Sequence, residues 1–190
     1  MQTIIKAGFA EQTIQKSRFL AAVCHCETEL AVAAFLRALT AEHANAHHLA
    51  YAFRIKTIDG IIPRFSDAGE PSGTAGKPIL QMLDGQQIIN VAVGVIRYYG
   101  GINLGTGGLV RAYGGTAKMA LQATQLAPFV EMQQLHLTVH LKQVDALLKM
   151  VTQLNGAVIA KQFDSNAHFQ IQLPKAHSQA LTAQFTSIKK

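Results

Sequence analysis

The chain has 190 residues, of which 49% are hydrophobic and 15% charged, the reverse of what a disordered chain needs. Two cysteines exclude a disulfide-rich scaffold, no apolar run reaches the ~20 residues that cross a bilayer, and no signal peptide is visible at the start. Seventeen basic residues against 11 acidic give a net charge of +6, shared evenly by the regions before and after Pro128, so no basic tail carries it. These features predict a cytoplasmic globular protein for which a polyanionic partner is permitted.

In chain order, residues 19–26 predict a strand. Residues 29–43 predict a helix with Leu30, Ala33, Ala34 and Leu36 inward. Residues 49–55 predict another strand. Residues 64–80, crowded with Asp67, Gly69, Pro71, Ser72, Gly73, Gly76 and Pro78, predict a long shaped loop. The strongest strand spans 88–99, where an apolar run on both faces predicts a central position. A long helix follows over about 105–124. Thirteen of the 15 glycines lie between Gly60 and Gly115, and the composition changes at Ala127-Pro128. The predicted domains are therefore 1–127 and 128–190. The second shows a β-α-β-β-α pattern: strand 131–141, helix 144–154, strand 157–163, turn 164–166, strand 168–173, and a last helix opened by Pro174-Lys175. The predicted class is α+β.

The segment from Arg97 to Gln122 carries the most chemistry. A buried strand ends in Arg97, Gly100-Gly101 turn the chain, and a helix begins around Gly105-Thr106-Gly107-Gly108. Free N–H groups and the helix dipole make such a start attractive to anions. At 100° per residue, Gly107, Arg111, Gly115 and Lys118 share one sector, opposite Leu109, Tyr113, Ala117 and Ala120. Interior glycines cost about 1 kcal/mol each against alanine, so either close packing or ligand access compensates. Burial of Arg111 and Lys118 beside them would favour the ligand. The candidate anion- or nucleic-acid-binding residues are Lys77, Arg97, Thr106, Gly107, Gly108, Arg111 and Lys118. Asp67, Glu70, Pro71, Gly73, Gly76, Gly100 and Gly101 shape the loops around them.

Walker A and dinucleotide-binding patterns both fail: Pro78 follows Gly76-Lys77, and Val110 stands where a third glycine is required. Cys24, His25, Cys26, His47 and His48 lack zinc-site spacing, and the two cysteines suit a buried structural place. No metal or cofactor is expected. Asp67 with Glu70 suits turn capping better than acid–base chemistry.

Ser66-Asp67-Ala68-Gly69-Glu70-Pro71-Ser72-Gly73-Thr74-Ala75-Gly76-Lys77-Pro78, followed by Arg97 to Tyr113, resembles the IMPACT family in its bacterial branch. His47 to Tyr51 is similar to a further family stretch. The chain departs from the family pattern at Ala68 (aspartate expected), Tyr99 (phenylalanine expected) and Asn103 (lysine expected). The resemblance implies an N-terminal domain with the ribosomal-protein-S5 domain-2-like fold and a ferredoxin-like C-terminal domain, a pair also found at the end of elongation factor G. It implies a non-enzymatic role in translation regulation, with RNA, the ribosome or a protein of the translation apparatus as partner. The alternative is an enzyme using the same site on a small phosphorylated substrate.

Overall fold

The computed structural model describes residues 1–185. The chain divides into two compact units, Met1–Phe129 and a second that begins at Val130. Both mix helices and antiparallel strands, so the fold is α+β.

The first unit is built on a five-stranded sheet. Its strands are β2 (Gly8–Ile14), β3 (Ser17–His25), β4 (His48–Thr57), β5 (Gly60–Ser66) and β6 (Val91–Tyr98), in the order β2-β3-β6-β4-β5, and every neighbouring pair is antiparallel. A separate ribbon joins β1 (Gln2–Lys6) to β7 (Gln125–Pro128). Pro128 therefore closes a strand of this unit and is not a linker.

The central strand β6 explains its own sequence. Alternate side chains of a strand point to opposite faces. Val91, Val93 and Val95 join the core beneath α2 (Gly76–Gly85) and α3 (Gly105–Gln122). Ala92 and Ile96 join clusters on the other face, under α1 (Glu29–Glu42). Gly94 on that face admits the Leu39 side chain of α1, whose Cδ1 would lie 2.7 Å from an added Cβ. By the same alternation Arg97 projects toward α3.

Of the residues expected inward on α1, Leu36 packs against the core and Ala33 is half-buried, but Leu30 and Ala34 face out. Leu30 is 75% exposed and Ala34 is exposed, whereas Val32 and Leu39 are buried and Phe35 and Leu36 pack beside them. The residues predicted as one loop over 64–80 also include the end of β5 and the first turn of α2. Proline fits that turn because first-turn N–H groups have no helical acceptor. The far end of α2 is tied by buried Arg54, which donates to the Leu83 and Ile88 carbonyls (3.2 and 2.9 Å) and pairs with Asp84 (2.9 Å).

The second unit orders β8 (Met132–Val139), α4 (Val144–Gln153), β9 (Ala157–Phe163), β10 (Ala167–Pro174) and α5 (Ser178–Gln184), with β10 between β8 and β9. A 3-10 turn over Lys175–His177 precedes α5. On β10, Ala167, Phe169, Ile171 and Leu173 point into the core with Leu147, Val151 and Leu181, and the intervening His168, Gln170 and Gln172 lie on the opposite face. This is a ferredoxin-like arrangement.

Candidate anion and nucleic-acid interface

Two helices start close to the segments singled out above, and their starts differ. At α2 the loop folds back so that Asp67 covers the helix end. Its carboxylate accepts from the amides of Gly73 (2.8 Å), Ala75 (2.9 Å) and Gly76 (2.8 Å). Burial pushes this carboxyl up, but the backbone hydrogen bonds of Gly73, Ala75, Gly76 and Lys77 outweigh it and hold the group below its ordinary range. A Cβ at Gly76 would collide with the Ser66 backbone, so only glycine lets α2 start this near β5. Gly73 sits at φ +77°, and the Pro71 carbonyl accepts from Thr74 through both its amide and its hydroxyl.

At α3, among the described residues, no side chain does the same. Leu104 precedes the helix with no capping hydrogen bond, and the first turn holds no acidic residue. Thr106 and Gly107 are exposed, and Gly108 is half-buried. Between Asp84 and Glu131 the chain carries Arg97, Arg111 and Lys118 and not one carboxylate. Arg111, Lys118 and Lys77 are exposed. Arg111 lies along the helix over Gly107, its Nη1 3.5 Å from where a Cβ would stand.

Arg97, expected as a further free cation, is 5% exposed and already paired. Its Nη1 donates to Glu70 Oε1 (2.7 Å) and its Nη2 to Ser17 Oγ (3.3 Å), while Nε has no partner. The guanidinium lies between the Phe19 and Tyr99 rings, 5.5 and 5.1 Å from their centroids. Glu70, with a side chain 5% exposed, also accepts from the Tyr113 hydroxyl (2.7 Å). Burial, followed by that bond to Glu70, pushes the Tyr113 phenol far up, so it stays a donor. His48 Nε2 lies 3.8 Å from Glu70, and its Nδ1 is 2.9 Å from the Ala68 carbonyl, which fixes Nδ1 as the protonated nitrogen of the neutral ring. Glu70 thus shapes its loop by anchoring it to β6 and α3 at once. Ser17 and His48 belong to this network; His48 lies in the family stretch from His47 to Tyr51, whereas Ser17 carried no sequence signal, because contact across strands brought it there.

The turn after β6 is equally constrained. A Cβ at Gly100 would strike the backbone of Lys16, and Gly101 takes φ +83°. Its amide neighbour Gly100 donates to Ser17 Oγ (3.2 Å).

The expected burial of Arg111 and Lys118 does not occur, so that argument for ligand access fails. Another replaces it. A Cβ at Gly114 would rest 3.5 Å from Pro78 Cβ, and one at Gly115 would rest 3.6 Å from Gln12 Nε2, both ordinary contacts. Packing therefore does not demand glycine at either position. Gly108 is different, since its Cβ would press Leu104 at 2.9 Å.

Cys26 is buried, which pushes its thiol up to about 12, with Cys24 adding to the effect. Among the described residues no cluster of three or more His, Cys, Asp or Glu could hold a metal ion, and no helix is long and apolar enough to cross a membrane.

Residues 15–121 match the model of the Impact N-terminal domain. An IMPACT family member from Haemophilus influenzae is 36% identical over 93% of this chain and 86% of its own length. The IMPACT family member YigZ of Escherichia coli is 36% identical over 87% of this chain and 81% of its own. A crystal structure of a hypothetical protein, 33% identical, superposes with a TM-score of 0.73 over 96% of this chain and 89% of that one. With its two signature segments folded into one face of the first unit, the chain belongs to the IMPACT family and is YigZ-like.

Proposed function

We propose that this protein is a translation-associated regulator that binds RNA or the ribosome through the start of α3. Thr106, Gly107 and Gly108 receive a phosphate on their amides, and Arg111, Lys118 and Lys77 neutralise further phosphates. The observation that carries the reading is the uncapped, exposed α3 start within a carboxylate-free stretch of chain. The link to translation follows from the family resemblance, and a protein of the translation apparatus fits the same role. Arg97 acts beneath the surface by positioning Glu70 and the turn after β6.

Co-sedimentation with ribosomes and binding to a panel of RNAs across a salt series test this. Three phosphates neutralised by Arg111, Lys118 and Lys77 predict a log–log salt slope near about −2 for single-stranded RNA, from ~0.7 per phosphate. A flat salt series would remove the electrostatic interface.

The second reading, an enzyme acting on a small phosphorylated substrate, draws on one feature. His48 Nε2 lies 3.8 Å from Glu70 Oε1, and the ring borders a cavity of about 190 Å³ that His43 and His47 also line. Tight binding of a phosphorylated metabolite with no RNA binding would favour it.

A further inference from the structure

Tyr99 is an aromatic ring held still at the surface. Its hydroxyl donates to Asn103 Oδ1 (3.0 Å), and its backbone amide donates to His47 Nδ1 (3.1 Å). The Arg97 guanidinium lies 5.1 Å from its centroid, and the His47 ring stands against it at 75° and 6.3 Å. Even so, Tyr99 remains 38% exposed. An exposed tyrosine ordinarily turns freely about its side-chain bonds, and this one is fixed at both ends, so ordering it on binding costs little further entropy.

Its surroundings select the partner. The turn that carries Tyr99 presses Gly100 onto Lys16, whose side chain is exposed. The same turn leads through Asn103 and Leu104 into the open start of α3, in a stretch with no carboxylate. A held aromatic ring beside a helix start that carries no acidic residue suits a flat ring that carries phosphates. We infer that Tyr99 is a stacking platform for an unpaired base of single-stranded RNA, with the adjoining phosphate at the α3 start. This rests on the RNA reading above and adds what that reading lacks, a preference for single strands with exposed bases. Base–aromatic stacking contributes about 1–3 kcal/mol per base, so one platform is worth about tenfold in affinity.

The test compares two fluorescein-labelled 12-mers by anisotropy on the full chain: oligo(A), and the same ribose-phosphate backbone without bases. The unaltered protein should bind oligo(A) about tenfold tighter than the abasic strand. Tyr99→Leu should erase that difference while leaving abasic binding and the salt slope unchanged. Tyr99→Phe keeps the ring and should keep the difference. The chain has no tryptophan, so Tyr99→Trp adds a single reporter whose fluorescence should be quenched by oligo(A) and not by the abasic strand. Equal, salt-dependent binding of both strands by the unaltered protein overturns the stacking platform and leaves the phosphate site standing. A preference for oligo(A) that survives in Tyr99→Leu, with no quenching in Tyr99→Trp, overturns it too, since the base then stacks elsewhere. Failure to bind either strand overturns the RNA reading and this inference together.

Discussion

The starts of α2 and α3 present the same physical problem and meet it in opposite ways. Each leaves backbone N–H groups without helical acceptors and a partial positive charge. At α2 the protein supplies its own anion, Asp67, delivered by a loop whose glycines allow the close approach. At α3 the glycines remain, the anion does not, and the cations nearby face solvent. A closed helix start holds a fold together, whereas an open one beside unpaired cations has binding capacity left over. Glycine density alone did not separate the two, and the position of one carboxylate does.

The largest effect should come from the network beneath both starts. Glu70→Ala leaves Arg97 buried without its counter-charge, and losses of about 3–5 kcal/mol are typical of such a broken pair. Urea denaturation should show that fall. A loss below about 1 kcal/mol would mean that Arg97 finds water or another partner, and that the loop is not anchored as described.

Next is the closed start itself. Asp67→Ala removes a charged acceptor of three amide hydrogen bonds and should cost about 2–3 kcal/mol. Its folded-state pKa is lowered, so its contribution is fully present above the unfolded value of about 3.9 and is lost as pH falls through the lower folded value. Asp67→Asn should therefore be less stable at neutral pH and show a shallower decline in stability below about pH 4. An unchanged acid limb would contradict the cap.

The open start should respond in binding and not in folding. Arg111→Ala should keep the melting temperature while lowering the RNA salt slope by about 0.7, equally for all sequences, because a phosphate contact carries no base information. A change confined to particular RNA sequences would assign Arg111 a different contact.

The smallest effects should be gains. Gly114→Ala places a methyl at ordinary distance from Pro78 and should stabilise α3 by up to about 1 kcal/mol. Ala68 sits at φ +51°, and glycine there relieves about 1 kcal/mol of strain. Destabilisation by Gly114→Ala, read in the same urea titration, would return that glycine to a packing role.

Residue patterns made some of this legible in advance. The buried strand β6, the helix α3 and the β-α-β-β-α order of the second unit follow from apolar periodicity, whereas the short helix α2, though it buries Ile79 and Leu83, was hidden by the glycines and prolines that open it. Elements at the margins did not show. Strand β2 lies at a sheet edge and alternates only half-buried residues, and β5 lies at the other edge and carries Pro63. Edge strands have one neighbour and tolerate proline, so their pattern is weak. Arg97 was placed correctly at the end of a buried strand, yet its partners come from residues 17 and 70, and no local pattern records such a meeting. The family motif marked the right segments, while the roles within them depended on which carboxylate reached which amide.

The central claim is that the α3 start is an open anion seat and the α2 start is not. Titration of the full chain with inorganic phosphate, followed by amide chemical shifts, tests it most directly. Shifts should centre on Thr106 to Leu109, with Arg111 side-chain signals moving alongside, and the amides of Gly73 to Lys77 should stay still. Shifts confined to the unit beginning at Val130, or at Gly73 to Lys77 in place of Thr106 to Leu109, would contradict it.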